Sequence, residues 1–215
     1  KHLASDPTVC CIAGVVMGQA VTFKLGMAGA HMAADTLAVL AAVKCASADL
    51  ARACLALSIV APAKGRGGQE FLETNGGDIL LIDESYNANP QSMAAALSLL
   101  TTVSKPRKGR KIAVWGDRLE LGRFSTDLHK GLAKTLDDAG IDLLYAAGPM
   151  MRQLWDTVPQ ARRGVHAETS AGVTHALVTS LRAGDSVVVK GSFGSNMGLV
   201  VEALRQRFQA PMKEM

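Results

Sequence analysis

Three short stretches concentrate side chains that could do chemistry. Ile82–Pro90 (IDESYNANP) places two acids, a tyrosine and two asparagines between an apolar run and a proline. Asp83 and Glu84 could hold a ribose hydroxyl, a metal-bound water or a cation. Tyr86 could lie along a flat ring, with Asn87 and Asn89 supplying amide donors and acceptors. Helix capping accounts equally well for Asn89, since Asn before Pro is a strong helix start, but it leaves Tyr86 and Asn87 unexplained. Gly116–Gly122 (GDRLELG) frames Asp117 and Glu120 between glycines, a pattern that also suits a turn with surface charges. Lys190–Gly198 (KGSFGSNMG) sets a cation ahead of Ser192 and a Gly-rich segment that opens a helix, where backbone N–H groups favour an anion. It matches neither the dinucleotide fingerprint nor a Walker A sequence. Arg66, in Lys64–Gly68 (KGRGG), could clamp a phosphate at a hinge or could simply solubilise a linker.

These loops need elements to position them. Beyond the break at Pro62–Gly68 the sequence alternates strands (78–83, 111–115, 142–146, 164–167, 186–190) with helices (from 90 to 103, 126–139, 150–156, 170–182 and 197–208). Near-continuous apolar strands separated by helices predict an α/β fold, a Rossmann-like mostly parallel sheet with helices on both faces. Ligands of such sheets bind outside the carboxyl ends of the strands, so all three loops should line one rim. Before the break, 9–17 and 20–25 read as a hairpin around Gly18, followed by helices at 32–46 and 48–58, the second capped by Ser47. The boundary falls after Pro62, giving domains 1–62 and 63–215.

Composition narrows the classes. The 215 residues are 48% hydrophobic and 20% charged, as in a folded globular protein, and 4% aromatic. A net charge of +4 is too small to imply nucleic acid. The basic run Lys105, Arg107, Lys108, Arg110 and Lys111 lacks interleaved aromatics and reads as a solvated turn, so no nucleic-acid partner is expected. Cys10, Cys11, Cys45 and Cys54 have no metal or C-x-x-C spacing, and Cys45 and Cys54 read as buried thiols in helices. Free thiols point to the cytoplasm. No histidine has metal-ligand spacing; His2, His166 and His175 show no evident partner. No membrane span is expected. The chain opens at Lys1 in mid-pattern, which predicts a fragment.

In order along the chain, Gly29–Ala42 (GAHMAADTLAVLAA), Ala63–Gly68, Leu81–Leu97 (LIDESYNANPQSMAAAL), Val114–Gly122, the pair Ser125 and His129, and Val189–Leu204 together resemble the Mur ligases of peptidoglycan synthesis. The Tyr86–Met93 string points to the branch that adds D-alanyl-D-alanine. The resemblance implies a three-domain ATP-dependent amide ligase. Residues 1–62 would then be an α+β remnant of the central ATPase domain and 63–215 the C-terminal domain. It further implies ATP and Mg²⁺ as cofactors, UDP-N-acetylmuramoyl-tripeptide and D-alanyl-D-alanine as substrates, and the rest of the parent protein as partner. By position, Arg66 would reach the ATP phosphates, and Asp83 or Glu84 with Tyr86, Asn87 and Asn89 would meet the nucleotide. Lys190 and Asp117 would be catalytic, with Asp117, Glu120, Lys190 and Ser192 along the acceptor cleft. His31 would start the central-domain helix that faces adenine. Two positions depart from the pattern: Asp35 stands where the family has Asn, and Arg118 where it has a hydrophobic residue. No G-x-x-G-K-[ST] occurs, so the chain alone is expected to be inactive. A diverged, non-catalytic ligand-binding module is the alternative.

Overall fold

A computed structural model of the chain describes residues 10–117 and 132–208. The chain divides into two compact units, Lys1–Ala63 and Lys64–Met215.

In the first unit, β1 (Cys10–Val16) and β2 (Gln19–Leu25) pair antiparallel, with Val16 opposite Gln19. Met17 and Gly18 make the two-residue connection with φ of 46° and 82°, the left-handed pair that a tight hairpin requires. Ile12, Phe23 and Leu25 bury one face of this ribbon, and Leu40 of α1 (Ala30–Cys45) is fully buried. Ser47 does not cap the next helix. It takes φ 56° in the connection, and Asp49 caps α2 (Leu50–Leu57) by accepting from the Ala51 and Arg52 amides. Aspartate at this position offers a charged acceptor to the helix start, which outweighs the neutral serine two residues earlier. Cys45 is exposed and Cys54 half-buried, so neither is the fully buried thiol expected from its helix; Cys10, Cys11, Cys45 and Cys54 form no disulfide.

The second unit is a six-stranded sheet in the order β3-β4-β8-β5-β6-β7. Its strands are β3 (Gly68–Thr74), β4 (Gly77–Glu84), β5 (Lys111–Gly116), β6 (Leu143–Ala147), β7 (Arg163–Ala167) and β8 (Ser186–Lys190). All neighbours run parallel except β3, which pairs antiparallel with β4. β3 was not expected. As an edge strand it buries only Leu72 deeply, so it lacks the apolar run that marks the others. The helices are α3 (Pro90–Val103), α4 (Leu132–Asp138), α5 (Met151–Thr157), α6 (Ser170–Ser180) and α7 (Gly198–Phe208).

Strand alternation sorts the core into two layers. Ile79, Leu81, Ile112, Val114, Val187 and Val189 pack against Val173 and Leu177 of α6 and Val200, Val201 and Leu204 of α7. The intervening Leu80, Ile82, Ala113, Trp115 and Val188 are as deeply buried, as are Met93, Leu97 and Leu100 of α3. Each such side chain taken out of water contributes about 1.5–3 kcal/mol before entropy is counted. The basic run is a solvated turn only in part: Lys105 and Lys108 are exposed, but the other three cations are engaged. Arg107 donates to Asp78 at 2.6 Å, Arg110 to Asp185 at 2.6 Å, and Lys111 to the Ala139 carbonyl at 2.6 Å. These cations tie together chain segments far apart in sequence.

Candidate functional site

Because β4, β8 and β5 are neighbours running the same way, the segments that leave them at Ser85, Gly191 and Asp117 emerge side by side. Lys190, the last residue of β8, is the pivot. Its side chain is 1% exposed, and it donates to Glu84 Oε2 at 3.1 Å and to the Asn87 carbonyl at 2.9 Å. Burial lowers its pKa from the ordinary lysine value; Glu84 opposes that shift and the Arg66 charge adds to it.

The acids divide by role. Asp83 is turned inward: Oδ1 accepts from the Ser85 amide (3.2 Å) and hydroxyl (2.6 Å), and Oδ2 accepts from Arg205 (3.3 Å). Glu84, next in the strand, serves Lys190. Asp117 is 5% exposed, and its carboxylate accepts from the Met151 amide at 2.8 Å and the Met150 amide at 3.3 Å. It therefore closes the start of α5. Asn89 is the cap of α3: its side chain accepts from the Ser92 amide at 2.7 Å, and the Ser92 hydroxyl accepts from the Asn89 amide at 3.0 Å. Asn87 Oδ1 accepts from the Ala88 amide at 2.8 Å.

Arg66 and Tyr86 come together at the surface. The guanidinium carbon lies 4.1 Å from the centre of the half-exposed Tyr86 ring, and the Phe193 ring tilts against the same tyrosine with centroids 5.8 Å apart. A cation over an aromatic face is a stacked, pre-arranged pair. Gly65 permits it: its φ is +76°, and a Cβ there would strike the Tyr86 backbone nitrogen at 2.9 Å. Ser192 is buried, its amide donating to the Asp117 carbonyl at 3.0 Å.

Beside Asp117 lies a cavity of about 390 Å³, lined by Pro149, Glu168, Thr169, Ser195 and Asn196 among others. Arg118, Glu120, Ser125 and His129 lie outside the described residues. His31 and Asp35 sit one turn apart on α1, in the first unit. His166, expected to lack a partner, has one: Nε2 lies 2.9 Å from the Gly148 carbonyl oxygen.

Sequence reading missed the ion cluster behind the rim. Arg205 of α7 binds Glu70 at 2.6 Å, Asp83 at 3.3 Å and Glu202 at 2.9 Å, and Lys64 joins Glu202 at 2.9 Å. Glu70 and Arg205 are 135 residues apart, and no local spacing announces such a pair. Phe193 and Glu168 were also missed; an aromatic within the Gly-rich KGSFGSNMG segment was the signal available for Phe193, which the structure leaves exposed. Among the described residues no group of three His, Cys, Asp or Glu could hold a metal ion.

An open, mostly parallel α/β sheet with a charged rim at its strand ends is the class of ligand-binding domain that folds in the Rossmann manner. The chain belongs to the Mur ligase family: residues 69–193 match the family model described as Mur ligase, glutamate ligase domain. The UDP-N-acetylmuramoyl-tripeptide--D-alanyl-D-alanine ligase of Synechocystis is 30% identical over 187 residues, covering 86% of this chain and 39% of that protein. The MurF ligase of Thermotoga maritima, solved in complex with ADP, shares the fold with a TM-score of 0.78 at 19% identity, over 97% of this chain and 45% of that one. MurF from Acinetobacter baumannii superposes with a TM-score of 0.77 at 25% identity, over 93% of this chain and 43% of that one. The chain thus spans about two fifths of the length of the curated relatives it matches.

Proposed function

We propose that this chain is the acceptor-side part of an ATP-dependent amide-bond ligase that joins D-alanyl-D-alanine to UDP-N-acetylmuramoyl-tripeptide. The observation that carries the reading is Lys190, a cation buried at a strand end between Glu84 and the Asn87 carbonyl, on a rim whose sequence matches ligases of that name. Residues 1–62 correspond to the end of the central ATPase domain and 63–215 to the C-terminal domain. ATP supplies the phosphoryl group that activates the tripeptide carboxylate. Arg66 suits the phosphates and Tyr86 a planar base, since both are presented together at the surface. Lys190 places positive charge where anionic oxygens gather as the dipeptide amine attacks. Magnesium finds no matching donor set among the described residues, so no step here runs through it. No described helix is long and apolar enough to cross a membrane.

Calorimetric titration with D-alanyl-D-alanine, and then with a nonhydrolysable ATP analogue, tests the reading. Weak dipeptide binding that disappears in Lys190→Ala is expected, and the chain by itself should release no phosphate from ATP. Phosphate release by the chain alone, or dipeptide binding indifferent to Lys190, would refute these assignments. A non-catalytic module has one observation in its favour, the acid Asp35 one turn after His31 on α1. Ligation of the dipeptide by the full-length protein would exclude that alternative.

A further inference from the structure

Resting on the acceptor-side reading, we propose that Asp117 is a positioning residue: it fixes the walls of the 390 Å³ cavity and leaves contact with the acceptor to other groups. The argument is one of occupancy. Both carboxylate oxygens accept main-chain hydrogen bonds, from Met151 at 2.8 Å and Met150 at 3.3 Å. The Asp117 amide donates to the Ala147 carbonyl at 3.0 Å, and its own carbonyl accepts from the Ser192 amide at 3.0 Å. One residue thereby joins the ends of β5, β6 and β8.

The surrounding glycines show how closely these segments meet. A Cβ on Gly148, at φ +108°, would collide with the Asp117 carboxyl carbon. One on Gly116 would lie 2.6 Å from Ser195 Oγ, and one on Gly191 would collide with the same hydroxyl. The cavity is bounded by these same segments: Gly148 and Pro149 on one side, Gly194, Ser195 and Asn196 on another, and Glu168 to Ala171 on a third. Withdrawing the Asp117 carboxylate releases the turn before α5 that forms one wall of the cavity, while the main-chain bond to Ser192 remains. Arg66 and Tyr86, held by each other and by Gly65, share no hydrogen bond with Asp117 among the described residues. Acceptor binding and nucleotide binding should therefore separate.

The test is a ligation assay on the full-length ligase that contains this chain. Asp117→Ala should raise KM for D-alanyl-D-alanine about tenfold or more, since a small misplacement of positioning groups has effects of that order. KM for ATP should stay constant and kcat should fall by a smaller factor. Asp117→Asn, whose amide oxygen can still accept from Met151, should recover most of the loss. Gly148→Ala, which displaces the carboxylate without removing it, should raise the same KM. A collapse of kcat at constant dipeptide KM in both Asp117 variants would show direct participation and overturn the proposal. Absence of dipeptide ligation by the unaltered enzyme would sink the functional reading instead. The positioning role is then decided by amide hydrogen exchange on this chain. Faster exchange at Met150 and Met151 in Asp117→Ala, partly restored in Asp117→Asn, supports it, and unchanged protection refutes it.

Discussion

The two ends of β8 carry buried charge in opposite ways. At its start, Asp185 is 2% exposed and fully engaged: it accepts from the Arg110 amide (3.0 Å), Arg110 Nε (3.1 Å), Arg110 Nη2 (2.6 Å) and the Arg182 amide (2.9 Å). Hydrogen bonding to that carboxylate dominates Arg110 and raises its pKa. At the far end Lys190 has one carboxylate and one carbonyl, and there burial dominates and lowers its pKa. At the two ends of one strand, one cation, Arg110 on Asp185, is stabilised by its surroundings, and the other, Lys190, is held against a desolvation cost. The first arrangement locks a fold. On the proposed reading, the second keeps a cation ready for an anionic ligand that would complete its coordination.

The largest expected effect lies at the saturated end. Asp185→Ala strands the Arg110 guanidinium and two backbone amides, and should destabilise the second unit by about 3–5 kcal/mol in urea unfolding. A loss below about 1 kcal/mol, the scale of a surface pair, would mean that the cluster is ornamental and the contrast false. The middle-sized effect comes from neutralising the other end. Lys190→Met combined with Glu84→Gln should leave stability within about 1 kcal/mol of the original, because apolar or neutral replacements of a buried pair recover its desolvation cost. The same double variant should bind no dipeptide in the titration. If it unfolds as readily as Asp185→Ala, both ends serve the fold and Lys190 loses its special standing.

Which parts of this were legible in the sequence follows from range. The strands from Gly77 onward and their helices are written in local apolar runs and breaks, so β8 and α3 stand where their patterns place them. β3 is not, because an edge strand facing water on one side carries no such run. The rim residues were named from loop chemistry, but their occupations were not. Capping of α3 by Asn89 is visible in the Asn-Pro-x-Ser spacing. The use of Asp117 by the Met150 and Met151 amides joins residues 33 and 34 positions apart and needs the fold. The same holds for the Arg107 and Arg110 anchors, which composition shows as a basic run and tertiary structure turns into clamps.

The smallest expected effect reads the contrast through protons. A lysine whose folded-state pKa lies below 10.5 is penalised in the folded state wherever both states are charged. As pH rises through the depressed value toward 10.5, the folded side chain sheds its proton before the unfolded one does, and the penalty is relieved. Stability attributable to Lys190 should therefore increase with alkaline pH across that window, the reverse of the usual paired lysine. Other groups titrate nearby, so the quantity to measure is the difference in unfolding free energy between the original chain and Lys190→Met as a function of pH. A difference that moves in favour of the original chain as pH climbs agrees with a cation held at cost. One that moves against it would mean that Glu84 and the Asn87 carbonyl outweigh burial, making this end of β8 as settled as the other.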